Sequence, residues 1–163
     1  MARRLRGSLL ESTSGSFLAS AQVAKGVSGG DISLRALAIA MPYPNTEGKT
    51  SLNVVLEVDG RSLLDRGDGT TLALEIYGYA LGSDGGVEDF VSIAPTLDLA
   101  KLGSKLKESG LHFCTAFAVP AGSHELRSLV RDKEKGRRGL ESIEATVPAL
   151  DVPGLFLAAP VHG

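Results

Sequence analysis

The chain has 163 residues, 43% of them hydrophobic and 22% charged, with a formal net charge of −2. That balance fits one globular domain and excludes the global basic field that recruits nucleic acid. The single cysteine, Cys114, excludes a disulfide within the chain and a thiolate-based zinc site, and no apolar run approaches the length that spans a bilayer. Aromatics make up only 5% and tryptophan is absent, so the core must be aliphatic, while 20 glycines favour turns over long helices.

Residues 1–30 read as a flexible N-terminal arm. Small and polar residues dominate, apart from Phe17 and Leu18, and bury too little apolar surface to offset their ordering entropy. Arg3, Arg4 and Arg6 read as a solvated end. Leu9 and Leu10 give way at once to Glu11 and Ser12, so no signal peptide is read here.

Residues 31–147 carry the folded signal. Residues 32–41 form a continuous apolar run, stopped by Pro42 and Pro44. In residues 50–58, Leu52, Val54, Leu56 and Val58 share one phase, opposite Asn53 and Glu57, which marks a half-buried strand. Asp59 and Gly60 then turn the chain. Residues 70–81 alternate again, with Leu72, Leu74 and Ile76 opposite Thr71, Glu75 and Tyr77. The Gly-rich loop 82–86 joins this strand to another at 87–93 as a hairpin, which Pro95 ends.

Thr96 or Asp98 caps a short helix with Leu99, Leu102 and Leu106 on one face and Gly110 at its stop. Strands follow at 111–119, with Leu111, Phe113 and Phe117 inward, and at 124–132, with Leu126 and Val130 inward. After a charged loop at 133–136, a last strand at 139–147 turns Ile143, Ala145 and Val147 inward. The tail, 148–163, holds Leu150, Val152, Leu155, Phe156 and Leu157 and is too apolar for a solvated end; it packs back or leads into a further domain.

About seven short strands separated by turn signals, with one short helix, predict a mainly all-β antiparallel sandwich of immunoglobulin or fibronectin-III class. It lacks the cysteine pair and buried tryptophan of antibody-type domains.

Part of the second half follows a known pattern. Pro120-Ala121-Gly122-Ser123-His124-Glu125-Leu126-Arg127-Ser128-Leu129-Val130-Arg131-Asp132 matches P-x-G-x-Y-x-L-R-V-x-V-R-D, with His124 in place of tyrosine and Ser128 in place of valine. Two further pieces are the run 76–81 before an Asp-Gly turn, and Thr96-Leu97-Asp98-Leu99 before a short helix and Ser109-Gly110-Leu111. In order and spacing, residues 30–150 resemble the C-terminal β-rich region of von Willebrand factor A-related proteins of acidobacterial type, although the Asp-x-Ser-x-Ser metal motif of the A domain is absent. The resemblance implies an accessory, extracytoplasmic module with no catalytic residues to carry over. Without a leader in the sequence, a cytoplasmic location stays open.

Catalytic constellations are scarce. Cys114 and His112 share the outer phase of one strand, where a packed or surface thiol is favoured over a nucleophile-base pair. Glu88, Asp89, Glu141 and Glu144 lie on strands in no recognisable cleft. The segment 65–69 contains Arg66, Gly67 and Asp68, a tripeptide that adhesion receptors read in exposed loops; a plain polar turn is favoured. Tyr77 and Tyr79 share one phase and would stack on sugars if exposed, or serve as core if covered by the helix. The expectation is a non-catalytic interaction module, without cofactor or metal, that binds a protein partner or adjacent domain. Its candidate contacts are Tyr77, Tyr79, Arg66, Gly67, Asp68, Leu155 and Phe156. The alternative is a polysaccharide-binding module that uses the tyrosines. Nucleic acid and a transmembrane segment are not expected, and a small hydrolase is disfavoured.

Overall fold

A computed structural model describes residues 28–44, 47–64 and 69–149. The elements in chain order are β1 (Gly29–Gly30), β2 (Leu34–Pro44), β3 (Thr50–Val58), α1 (Gly60–Leu64), β4 (Thr71–Leu81), β5 (Val87–Ile93), β6 (Thr96–Asp98), α2 (Leu99–Ser109), β7 (Leu111–Val119), β8 (Gly122–Asp132) and β9 (Arg138–Val147).

Two antiparallel sheets form. The larger has six strands, ordered β1-β9-β8-β4-β5, with β6 also on β4; the smaller has three, ordered β2-β3-β7. Period-two alternation accounts for how they meet. Leu52, Val54, Phe117 and Val119 of the smaller sheet pack on Ala80, Val91, Leu126, Ile143, Ala145 and Val147 of the larger. Leu56 and Val58 pack on Leu72, Leu74, Ile76 and Val130, where the helices add Leu63 and Leu106. Each fully buried aliphatic side chain contributes roughly 1.5–3 kcal/mol of transfer free energy. Asp89 on β5 links the sheets at one edge by accepting from the Ala118 N–H of β7 at 2.8 Å.

Most predicted elements are present, with four corrections. Pro42 and Pro44 do not stop β2, because it lies at a sheet edge, where a missing N–H costs no ladder bond. Pro95 follows the end of β5 at Ile93 as expected, but Thr96–Asp98, read as the start of the helix, form the separate strand β6. The Pro95 carbonyl accepts from the Leu74 N–H at 2.9 Å, and β6 resumes pairing with β4 at Thr71, Leu72 and Ala73.

The turn at Asp59 opens into α1, whose first turn Asp59 caps by accepting from the Ser62 N–H at 2.7 Å. Leu63 is thereby buried. Finally, Asp98 caps α2 as expected, but Leu102 is 39% exposed, and Leu106 is the one α2 residue that is fully buried. The helix packs Leu99 and Leu106 against the core, but not Leu102. Its close approach to α1 needs glycine: a Cβ on Gly60 would sit 1.6 Å from the Leu106 carbonyl oxygen.

Candidate interaction surface

The two sheets present very different outer faces. On the smaller one, alternation turns Leu37, Ile39 and Met41 outward from β2, Asn53 and Val55 from β3, and Cys114, Ala116 and Ala118 from β7. Register aligns Leu37 with Val55 and Cys114, and Ile39 with Asn53 and Ala116. These side chains are half-buried or exposed, with Met41 at 41% and Cys114 free and exposed. Among the paired strand residues of this face, charge enters in the row Arg35, Glu57 and His112. A contiguous apolar patch rimmed by polar groups is the surface signature of a contact site.

The larger sheet's outer face carries the predicted aromatic residues. Tyr77 and Tyr79 are each only 8% exposed and cluster with Leu81, Leu129, Leu140 and Phe90. Tyr79 stacks on Phe90 with ring centroids 6.0 Å apart. The flat, exposed aromatic platform needed for sugar stacking is therefore not what these residues form. Nor does α2 cover them, because its apolar residues join the inner core instead. Polar pairs flank the cluster. Arg127 grips Glu125 through two bonds of 2.8 and 2.7 Å, and Ser142 Oγ donates to the same carboxylate at 2.6 Å. The Arg127 bonds hold the Glu125 carboxyl below its usual range, against partial burial and with help from Ser142. On the other flank, Arg131 and Lys133 approach Glu75 at 3.4 and 3.8 Å. Of the remaining candidates, Arg66, Gly67, Asp68, Leu155 and Phe156 lie outside the described residues.

The groups weighed for chemistry are dispersed. His112 and Cys114 do share the outer phase of β7, both exposed, on the sheet opposite His124. His124 is buried. Its Nε2 donates to the Pro120 carbonyl at 2.9 Å, while Nδ1 sits 2.9 Å from Glu88 Oε2 at an angle too poor for a hydrogen bond. Asp89 is spent on the inter-sheet bond. Glu141 faces the inner phase of β9 opposite Ser128, and burial pushes its carboxyl up. Glu144 is exposed. Among the described residues, no three His, Cys, Asp or Glu side chains gather as a metal site. A partly open pocket beside α1 has a volume of about 20 Å³, room for one water at most.

Sequence reasoning missed one buried network. Asp132, 1% exposed, accepts from the Glu134 and Lys135 N–H groups, each at 3.0 Å, and from Arg137 Nη2 at 3.0 Å. Arg137 also donates to the Ser62 and Leu63 carbonyls at 2.7 and 2.6 Å. Burial opposes ionisation of Asp132, but these donors outweigh it and hold the carboxyl below its usual range. The β8–β9 loop is thereby locked onto the end of α1. The charged loop at 133–136 is itself exposed, and the network belongs to Asp132 and Arg137 on either side of it, which the alternation of the strands does not single out. The outer patch did leave a signal: residues 36–41 are apolar on both phases, which period two alone does not explain.

Fold and surface together define a class, an open antiparallel β-sandwich with an exposed apolar face on its smaller sheet. No protein-family model matches the chain, and no curated protein matches it. Among solved structures it is similar to a β-glucuronidase of Bacteroides uniformis, at 12% identity and a TM-score of 0.45, over 69% of this chain and 13% of that one. It is also similar to an ApaA protein of Bordetella pertussis, at 11% identity and a TM-score of 0.42, over 77% of this chain and 99% of that one. The chain thus spans only a small part of the glucuronidase.

Proposed function

We propose that the domain is a non-catalytic interaction module that docks a protein partner, or an adjacent domain of a longer polypeptide, on the outer face of its three-stranded sheet. The observation that carries this proposal is the half-exposed row Leu37, Val55 and Cys114 beside Ile39 and Ala116, free of charge at its centre. Such a face fits a flat apolar partner surface, with Arg35 and Glu57 at one end available to set orientation. The similarity of residues 30–150 to the β-rich region of von Willebrand factor A-related proteins supports the same role, an accessory unit working outside the cytoplasm. Among the described residues, no helix is long and apolar enough to cross a membrane. The polysaccharide alternative loses its basis once both tyrosines are buried.

The test places a photoreactive side chain at position 39, with a control at position 84 in the β4–β5 loop, and follows adducts in the source cells. A discrete adduct from position 39 alone, lost in the variant Leu37→Lys/Val55→Lys while the circular dichroism spectrum is retained, is the expected result. Equal adducts from both positions, or an adduct that survives the charged variant, would overturn the proposal.

A further inference from the structure

A sheet edge presents main-chain N–H and C=O groups that a further strand can pair with. Stable proteins block such edges with short strands, prolines, bulges or inward charges. Most edges here carry one of these devices. β1 has two residues and β6 three. β2 carries Pro42, Pro44 and a register shift between Ala40 and Pro44. β5 meets a register shift at Ala80 and Leu81 and turns Asp89 inward, where its carboxylate accepts from the Phe90 N–H at 3.0 Å.

The first half of β7 differs. The strand pairs with β3 from Leu111 to Val119 without a shift and contains neither proline nor lysine. The Ala118 N–H points away from β3, to Asp89. Main-chain groups alternate sides along a strand, so those of Ala116, Cys114 and His112 point the same way. Ala116 is not free. Among the described residues, nothing bonds the main chain of His112 or Cys114 on that side.

The core is incompletely closed along the same stretch. From the first core cluster to the second, β5 runs from Val91 to Ile93, and β7 from Phe117 to Phe113 and Leu111. All five face inward. Val91 and Phe117 are buried, whereas Ile93, Phe113 and Leu111 are only half-buried. Among the described residues, no strand of the smaller sheet lies beyond β7 to cover this seam.

We infer that the β7 edge at His112 and Cys114 accepts an extended segment of a partner protein as a fourth strand of the smaller sheet. The segment's main chain pairs with the N–H and C=O groups of both residues, and its alternate apolar side chains enter the seam between β5 and β7. Its other phase extends the outer row of Leu37, Val55 and Cys114. This site goes beyond the docking face, because it uses main-chain groups that no outer side chain supplies.

The full-length chain tests this against a synthetic peptide with the sequence of β3, residues 50–58, which alternates Leu52, Val54, Leu56 and Val58. Amide exchange followed by NMR should show His112 and Cys114 exchanging fast in the chain alone and protected once peptide is added. Phe113 and Thr115, already bonded to β3, should not change. A peptide N-methylated at Asn53, Val54 and Val55 should protect neither amide. Absence of protection up to the peptide's solubility limit, or equal protection by the N-methylated peptide, overturns the inference. So does protection in the chain alone, which would mean that another stretch of chain or a second copy already fills the edge. In Leu37→Lys/Val55→Lys the peptide should still protect both amides; loss there, with shifts confined to the outer row, would place the peptide on the docking face and equally overturn it. Cross-linking from position 39 reads that face alone, so the two proposals fail separately.

Discussion

Both sheets of this sandwich have apolar outer faces, and they differ in how wet they are. On the six-stranded sheet, Tyr77, Leu129 and Leu140 are as buried as the interior and flanked by paired charges. On the three-stranded sheet, Leu37, Ile39 and Val55 remain half-buried and Met41 is open to water. Apolar residues on an outward phase therefore mean different things in the two places. One face contributes to the stability of the domain; the other is available for binding.

Mutations can break or sharpen that contrast. The largest effect is expected at Leu129, where Leu129→Ala should cost about 3–4 kcal/mol by urea denaturation, as for a core leucine. Ile39→Ala on the other sheet should cost less than about 1 kcal/mol, and equal losses at the two positions would erase the distinction. Next comes the lock behind the larger sheet. Arg137→Ala removes charge-assisted bonds to Asp132, Ser62 and Leu63 and should cost about 2–3 kcal/mol.

Acid should reveal the same lock at smaller amplitude. Asp132 and Glu125 both hold their protons less tightly in the folded chain than in the unfolded one. Their stabilisation is therefore present above the ordinary carboxylate value, near about 4, and is lost as pH falls through the lower folded values. Asp132→Asn should flatten the decline in melting temperature with acidification; an unchanged slope would show that Asp132 does not contribute. The smallest effect is expected at Glu141, whose folded carboxyl is pushed up by burial. Its contribution is complete below the ordinary glutamate value and is lost as pH rises through the raised one, so the ionised form is a net cost at neutral pH. Glu141→Gln should raise the melting temperature slightly at pH 7 and leave it unchanged or lower near pH 4.

Much of the fold was legible in the sequence because period two is a local property. The alternation of Leu52, Val54, Leu56 and Val58, and of Ile143, Ala145 and Val147, marked strands whose inner phases are the observed core. Gly-rich loops and Asp98 marked their own turn and cap. Alternation separates two phases without saying what lies against either. That is why Tyr77 and Tyr79 could be placed opposite the core set, yet not as buried or exposed. It is also why Pro42 reads as a stop: only sheet order shows that β2 is an edge strand, where a missing N–H costs no ladder bond.

By itself, then, the sequence determined the strand phases, the turns and an aliphatic interior, because each depends on neighbours two to five residues away. The tertiary structure decided the rest. It brought Arg137 to Ser62 and Asp89 to Ala118 across long stretches of chain, and it left one outer face dry and the other open. Those outcomes depend on which strands become neighbours, and residues far apart in the chain meet only when the sheets close.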